Sequence, residues 1–332
     1  MRTLLLAASA ALALSLPLSA QDEPKGAPAP SEIVAAAPKA DWVAIPAEEL
    51  LVMTLAPDAE GKPRQVVIQL IPAPFSQGWV DNIRLFARAK WYDNITVNRV
   101  QDNYVTQWGD PNYDNPEAKG KPKPLPAGLK VMTEAEYAQD VPFRDLTKGF
   151  KGFRRDPYAE EAGYAGGFPV GFRFYPPSPG AKLDEFVTSS WPTHCYGMVG
   201  VGRNYSPDTG SGAELYTVIG HAPRHLDRNI ALVGRVIEGM QFLSSLPRGS
   251  GDLGFYTAEE AGKRTPILTV RVASDLPAGE QPQFEYLSTE SQTFAAYADA
   301  VANRRDPFFI VPAGGADICN IKVPVRRVAV EK

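Results

Sequence analysis

Histidine and cysteine are scarce in this sequence, which contains three and two of them among its 332 residues. Two of the histidines, His221 and His225, are four residues apart, a spacing that can bind a metal ion on a helix. Pro223 lies between them, however, and a proline inside a helix breaks it. The sequence therefore predicts structural or surface roles for the histidines, and it predicts neither a metal site nor a cofactor.

An excess of charge of one sign is also missing, as are the motifs of several enzyme classes. The formal net charge is −4 with both signs interspersed, so there is no basic stripe of the kind that binds nucleic acid. The glycine-rich stretch GVGRNYSPDTGSG lacks the Lys-Ser/Thr ending of a phosphate loop, and no Gly-x-Ser-x-Gly elbow occurs. Nucleic-acid binding, nucleotide binding and serine hydrolysis are therefore not expected.

Long apolar runs are absent except at the N-terminus. Residues 1–20 combine Arg2, the apolar stretch LLLAASAALALSLPL and a small-residue cleavage site ending at Ala20, which is the pattern of a signal peptide. No later segment approaches the roughly 18 apolar residues of a membrane span, and no cysteine follows the run to carry a lipid. We therefore expect an exported protein that is cleaved near Ala20 and located in the periplasm.

The two cysteines, Cys195 and Cys319, would then lie in an oxidising compartment. A bridge between them would close a loop of more than a hundred residues and would contribute roughly 4 to 5 kcal/mol in the chain-entropy model. The alternative is a pair of buried free thiols, because the sequence does not give the Cα separation on which a bridge depends. Both alternatives stay open at this point.

Glycine and proline are plentiful, with 28 and 31 residues, which indicates many turns and favours β architecture over helix bundles. Short β-like runs recur along the chain, whereas only two or three segments have helical spacing. One of these is PFSQGWVDNIRLFARAK, in which Trp79, Ile83 and Phe86 share one helical face. The pattern predicts a closed barrel or a sandwich.

The chain divides into segments of different composition. A Pro/Ala-rich leader at 21–41 is predicted to be flexible, and a barrel domain is predicted at 42–275. An irregular insertion at about 111–190 should contain short strands, because a structureless loop of that length is improbable. The extension at 276–332 should contain a helix and two β-like runs, FFIV and NIKVPVRRVAV, and should pack on the barrel because it is too short to bury its own core.

A predicted hairpin within residues 91–112 carries two polar side chains of interest. Its flanks alternate apolar and polar residues, and Gln-Asp-Asn forms the turn between them. Arg99 and Gln107 lie on the two strands, so we expect them to face one region. By itself a surface arginine is most often only a solvated charge.

The motifs around this hairpin resemble the cyclophilin family. NIRLFARAKWYDNITVNRVQDNYVTQWGDPN is similar to the cyclophilin signature, and GMVGVGRN, GAELYTVIG and HLDRNIALVGRVIEGMQFL are similar to later cyclophilin motifs in the same order. The resemblance covers about residues 62–275, apart from most of the insertion. It implies a mainly β fold, an eight-stranded antiparallel barrel capped by two helices. It also implies peptidyl-prolyl cis/trans isomerisation of proline-containing unfolded or extended polypeptides, with no cofactor.

The resemblance assigns roles to individual residues. Arg99 would donate a hydrogen bond to the prolyl nitrogen once the bond is twisted, and Gln107 would hold a substrate carbonyl. These two are the predicted catalytic residues, and no proton transfer is required. The predicted substrate-binding residues are Tyr104, Val105, Arg203, Glu214, Tyr216, His225 and Leu226.

Several positions depart from the family pattern. Asn98 replaces the family's histidine beside the arginine, while Tyr104 and Tyr216 replace phenylalanines and add hydroxyl groups that need partners. Arg203 and Glu214 replace a neutral Asn and Gln pair, and we predict an ion pair between them. His225 replaces a tryptophan, which puts sensitivity to cyclosporin in doubt. The insertion is interpreted as a surface decoration, with an extension over the peptide groove as the alternative.

Three functions are compatible with these residues. The first is an exported cyclophilin-type isomerase that assists protein folding in the periplasm, favoured by Arg99 and Gln107. The second is a catalytically weak cyclophilin-like module for peptide binding or chaperone activity, favoured by the changes at residues 98, 203, 214 and 225. The third is an unrelated β-barrel that binds a small ligand, and it leaves the ordered motifs unexplained.

Overall fold

A computed structural model describes residues 26–113, 118–142, 154–175 and 186–328. The predicted signal peptide at 1–20 lies outside these residues. Across the ranges just given, no helix is both long enough and apolar enough to cross a membrane.

The structure describes sixteen strands and four α-helices. The helices are α1 (Pro30–Ala35), α2 (Gln77–Arg88), α3 (Gln241–Ser244) and α4 (Gln292–Ala302). The strands are β1 (Trp42–Ala44), β2 (Leu50–Leu55), β3 (Arg64–Leu70), β4 (Ile95–Val100), β5 (Val105–Gly109), β6 (Gln139–Pro142), β7 (Arg154–Asp156), β8 (Ala159–Ala165), β9 (Phe168–Phe174), β10 (Val187–Pro192), β11 (Met198–Val201), β12 (Leu215–Val218), β13 (Leu232–Glu238), β14 (Pro266–Val272), β15 (Phe284–Leu287) and β16 (Val325–Arg327).

Eight of these strands form a closed antiparallel barrel, which confirms the predicted fold class. The order around the barrel is β11, β12, β5, β4, β14, β2, β3 and β13. Alternate residues of each strand point inward. On β2 and β3 the inward residues are Leu51, Met53, Leu55, Val66, Ile68 and Leu70, which all belong to the main core.

Helix α2 packs its apolar face against this core. Trp79, Ile83 and Phe86 are buried, as their helical spacing predicts. The indole of Trp79 also donates to the backbone carbonyls of Thr209 and Gly210, which ties the helix to the segment before β12. Helix α2 therefore fixes the chain that leads into the site described below.

The insertion is an ordered layer in the residues that the structure describes. It forms a five-stranded sheet in the order β6, β10, β9, β8, β7. Phe168, Val170 and Phe172 alternate along β9 and are fully buried in the same core as the barrel strands. The insertion is therefore packed against the barrel rather than suspended from it.

The extension forms a second layer against the outer face of β2. A three-stranded sheet in the order β1, β15, β16 places Phe284 against Leu50, Val52 and Val67. These barrel residues point outward, so β2 and β3 are apolar on both faces. The extension provides the second apolar partner that such strands need.

Two sequence-based expectations for the terminal segments are wrong. The leader predicted to be flexible is helical from Pro30 to Ala35 and packs on α4, because Val34 joins the apolar cluster of the extension. The run FFIV at 308–311 is not a strand. Prolines at 307 and 312 flank it, Phe309 donates to the carbonyl of Asp306 in a turn, and Ile310 is 96% exposed.

A disulfide joins the extension to the barrel. Cys195, which precedes β11, is bonded to Cys319, 124 residues later in the sequence. Of the two alternatives that the sequence left open, the structure contains the bridge.

Candidate active site

The β4–β5 hairpin places Arg99 directly opposite Gln107. A register shift between Val97 and Arg99 puts Asn98 in a bulge, and Arg99 pairs with Gln107 across the two strands. Asn103 closes the turn with a φ of 50°, in the left-handed region that asparagine tolerates. The two side chains therefore meet, and the Arg99 guanidinium donates from Nη1 to Gln107 Oε1 at 3.1 Å.

Further contacts fix the orientation of the Arg99 guanidinium. Its Nε donates to the carbonyl of Leu253 at 2.7 Å, and its Nη2 donates to Gln101 Oε1. The rings of Tyr104 and Phe255 lie 5.6 and 5.5 Å from the guanidinium carbon, within the range of cation–π attraction. Two aromatic rings and three hydrogen bonds therefore hold this cation in place.

The loop that carries Leu253 and Phe255 was missed by the sequence reasoning. Gly254 lies between them with a φ of 82°, and a Cβ there would come within 2.7 Å of the Gln101 backbone. Only glycine permits this close approach. The stretch GDLGFY, in which glycines flank an apolar residue and precede two aromatic ones, was the signal that could have revealed this loop.

A cavity of about 510 Å³ lies beside Arg99. It contains every predicted site residue except His225, together with residues from the loop around Leu253 and one described residue of the insertion, Ala118. Its lining is Arg99, Tyr104, Val105, Gln107, Ala118, Gly202, Arg203, Asn204, Glu214, Tyr216, Leu226, Ile230, Leu253 and Phe255.

The prediction that His225 contacts substrate is not supported by its position. A 3₁₀ turn runs from Arg224 to Leu226, and its successive side chains point in different directions. Leu226 lines the cavity and Arg224 is buried, whereas His225 is exposed. The turn directs His225 away from the cavity that the rest of the predicted residues share.

Arg203 and Glu214 do not form the predicted ion pair with each other. Arg203 donates from Nε to the carbonyl of Asn229 at 2.9 Å and from Nη1 to that of Asn204 at 2.6 Å. Glu214 Oε2 accepts from Gln107 Nε2 at 2.5 Å. Gln107 is the closer partner because β12, which Glu214 precedes, pairs with β5. Arg99, Gln107 and Glu214 consequently form one hydrogen-bonded row.

Tyr216 forms part of the apolar wall of the cavity. Its ring lies across Gly200 of β11, where a Cβ would come within 2.4 Å of the tyrosine hydroxyl oxygen. With Val105 and Val218 it forms a small buried cluster. Its hydroxyl lies 2.9 Å from Nε2 of His194, a buried residue to which the sequence reasoning gave only a structural or surface role.

The electrostatics of the cavity leave Arg99 charged. Burial lowers the pKa of the Arg99 guanidinium, and the nearby Tyr104, Tyr216 and Glu214 oppose that shift. Because the ordinary pKa of arginine lies so far above neutrality, Arg99 remains a cation.

Asn98 is buried and donates to the carbonyl of Gly109, so it supports the hairpin. Within the described ranges, no three His, Cys, Asp or Glu side chains are grouped as a metal site would require.

The family model described as cyclophilin type peptidyl-prolyl cis-trans isomerase/CLD matches residues 65–272. No curated protein matches the chain. The crystal structure of cyclophilin AquaCyp293 from Hirschia baltica is similar with a TM-score of 0.64 and 19% identity, covering 88% of this chain and 95% of that one. A cyclophilin type peptidyl-prolyl cis-trans isomerase from Cryptosporidium parvum has a TM-score of 0.37 and 10% identity over 67% of this chain and 96% of its own.

Proposed function

We propose, on the premise that this chain belongs to the cyclophilin-type peptidyl-prolyl cis-trans isomerase family, that it accelerates rotation about X-Pro bonds in exported polypeptides. The observation that carries the proposal is the fixed Arg99 guanidinium at the edge of a cavity with apolar walls. A cavity of this kind can accept a prolyl ring and place its nitrogen near a permanent cation.

The chemistry follows from the electronic structure of the amide. Rotation about an X-Pro bond crosses a barrier close to the 18 to 20 kcal/mol of amide rotation. Twisting the bond uncouples the lone pair of the prolyl nitrogen from the carbonyl group. A hydrogen-bond donor aimed at that nitrogen stabilises the twisted state and not the planar one, which is the condition for catalysis.

Arg99 has the donors that this role requires. A guanidinium carries five N–H groups. Its contacts with Leu253, Gln107 and Gln101 use one N–H group each, so they orient the cation and leave one N–H group on each terminal nitrogen for a substrate. Gln107, held by Arg99 and Glu214, supplies an adjacent polar edge for a substrate carbonyl.

A peptide-binding module without catalysis is the second candidate. The observation that favours it is the charge of the cavity lining, where Arg203 and Glu214 stand beside the apolar wall. The other two departures have little bearing on it, since Asn98 is internal to the hairpin and His225 lies outside the cavity. Catalysis remains the better-supported function because all the hydrogen bonds and aromatic contacts that orient Arg99 are present.

We further propose that the protein acts in the periplasm. The signal-peptide pattern of residues 1–20 and the disulfide between Cys195 and Cys319 support this location, because structural disulfides persist in oxidising compartments. Fractionation of cells that express the full chain should recover a form lacking the first twenty or so residues in the periplasmic fraction. Recovery of the uncleaved chain in the cytoplasm would contradict the proposal.

A protease-coupled isomerisation assay on an X-Pro peptide tests the activity. Wild-type protein should accelerate the reaction, and Arg99→Ala should remove most of the acceleration. Arg248→Ala is the matched control, because Arg248 is exposed, pairs with Asp102 and lies outside the cavity. If the folded wild type binds proline peptides without accelerating rotation, the binding module is the correct function.

A further inference from the structure

A buried row of polar side chains runs from the insertion to the wall of the cavity. Tyr216 is hydrogen bonded to His194, and His194 Nδ1 lies 2.9 Å from Asp227 Oδ1. Asp227 Oδ2 accepts from Arg224 Nε at 2.6 Å. Arg224 then donates from both terminal nitrogens to the carboxylate of Asp156, on β7 of the insertion, at 2.9 Å each. All five side chains are almost completely buried.

The hydrogen bonds of Asp227 determine which atoms donate and which accept along this row. Asp227 Oδ1 accepts from the backbone N–H of His194 and lies against Nδ1 of the same residue. The ring proton therefore sits on Nδ1, and burial lowers the pKa of His194, which favours the neutral ring. Nε2 is then an acceptor, and the Tyr216 hydroxyl donates to it. This bond holds the Tyr216 ring across Gly200.

The same row also holds a second part of the cavity wall. Leu226 lines the cavity and lies in the short turn between Arg224 and Asp227. Arg224 fastens one end of that turn to Asp156, and Asp227 fastens the other end to His194. Two walls of the apolar pocket, Tyr216 and Leu226, are thus attached to one buried network whose far end belongs to the insertion.

We propose that Asp156, Arg224, Asp227 and His194 are positioning residues for the prolyl pocket, and that the insertion sets the shape of that pocket through Asp156. The inference rests on the proposed function for its catalytic consequence. It replaces the interpretation of the insertion as a surface decoration. It also gives a role to the buried charges of this region. Stability alone does not account for these charges, because a buried ion pair is weak evidence for stability.

The charges explain why Asp156 should be sensitive to substitution. In a variant without the Asp156 carboxylate, Arg224 keeps only Asp227 as an ionic partner. A buried guanidinium that has lost a bidentate partner shifts toward the remaining carboxylate or toward solvent. Either shift moves Asp227, and with it His194 and Leu226.

Asp156→Ala and the milder Asp156→Asn are the test variants, with Asp140→Ala as the matched control. Asp140 lies on β6 of the same sheet, and its side chain accepts a hydrogen bond from the exposed Tyr175. We expect Asp156→Ala to lower kcat/KM by about twofold to thirtyfold. Asp156→Asn should retain more activity, and Asp140→Ala should match the wild type. Equal rates for all four proteins would overturn the proposal.

A double-mutant cycle with Tyr216→Phe separates positioning from general destabilisation. If the network acts through the Tyr216 hydroxyl, the losses from Asp156→Ala and Tyr216→Phe should combine to less than their product. A combined loss equal to the product would refute coupling between the two sites. Thermal unfolding of each variant, with the assay kept well below the midpoint, excludes loss of folded protein as the cause.

A readout that does not depend on activity keeps this inference distinct from the proposed function. In ¹⁵N-labelled protein, His194 should show a protonated Nδ1 and an unprotonated Nε2. Asp156→Ala and Tyr216→Phe should both shift the Nε2 resonance, and Asp140→Ala should leave it in place. If the Nε2 resonance does not move in Asp156→Ala, the positioning role is overturned, even when the wild type is an active enzyme. If the resonance moves but the wild type is inactive, only the isomerase proposal is refuted.

Discussion

Loss of the disulfide should destabilise the whole protein by a large and calculable amount. The bridge between Cys195 and Cys319 spans 124 residues. A crosslink over a loop of this length restricts the unfolded chain by an entropy equivalent to about 5 kcal/mol at room temperature in the chain-entropy model. Since small and medium domains are stable by only about 5 to 15 kcal/mol, this contribution is a major part of the total.

The structure indicates that the folded state itself should change little on reduction. The extension remains attached through an apolar cluster that contains Trp42, Leu287 and Phe294 of the terminal segments together with Tyr164 of the insertion. The Tyr164 hydroxyl also donates to the carbonyl of Ile321 at 2.7 Å. The crosslink should therefore act mainly on the unfolded state.

Urea unfolding measures this effect directly. The oxidised wild type, the reduced wild type and the Cys195→Ala/Cys319→Ala double variant should be compared by tryptophan fluorescence and by circular dichroism. Both uncrosslinked forms should unfold at lower urea, with the free energy of unfolding reduced by about 5 kcal/mol. Coincident transitions in the two probes are needed for that number to apply.

Two results would refute this reasoning. A loss below about 1 kcal/mol in both uncrosslinked forms would mean that the bridge hardly restricts the unfolded chain. An early transition confined to the extension, with the barrel transition unchanged, would mean that the bridge acts by docking the extension. Agreement between the reduced wild type and the double variant is the control for the substitutions themselves.

Two further predictions follow from the polar contacts of the site. Gln107→Ala should lower kcat/KM about tenfold and the free energy of unfolding by about 1 to 3 kcal/mol, because it removes the proposed substrate contact and the buried bond to Glu214. An unchanged rate would exclude Gln107 from substrate binding. His194→Gln tests pH dependence: burial lowers the pKa of His194 below its ordinary 6.5, so the folded state resists protonation and its stability falls as the pH drops below that value. The difference in Tm between wild type and His194→Gln should therefore narrow from pH 7 to pH 5, and a constant difference would show that folding does not shift the pKa of His194.

The barrel and the centre of the site could be predicted because their determinants are local. The short hairpin brings Arg99 and Gln107 onto neighbouring strands, where they pair. The bulge at Asn98, which interrupts the alternation just before Arg99, was not predicted from the period of the pattern. The resemblance of the surrounding motifs then supplied the chemistry, which alternation alone does not contain.

The remaining parts of the site depend on contacts between distant segments. Leu253 and Phe255 reach Arg99 from a loop some 150 residues later, and Asp156 reaches Arg224 across 68 residues. No periodicity in the sequence signals such meetings. The predicted pairing of Arg203 with Glu214 was wrong for the same reason, because pairing by charge alone ignores the amide of Gln107 on the neighbouring strand.

The predictions for the terminal segments were wrong because they relied on composition for the leader and on β propensity for the run FFIV. The leader is rich in proline and alanine, yet Val34 provides enough apolar surface to pack against α4. The run FFIV has high β propensity, yet its flanking prolines and its position next to the Asp306 turn keep it out of any strand that the structure describes. Local propensity was overridden by the partners available in three dimensions.

The most direct test of the central claim measures binding and rotation in the same sample. NMR exchange spectroscopy on an X-Pro peptide reports both the dissociation constant and the rate of cis/trans exchange on the protein. If Arg99 stabilises only the twisted bond, Arg99→Ala should slow exchange about a hundredfold while the dissociation constant stays within about threefold. An equal rate of exchange in Arg99→Ala, or a loss of exchange that is fully explained by weaker binding, would contradict the account.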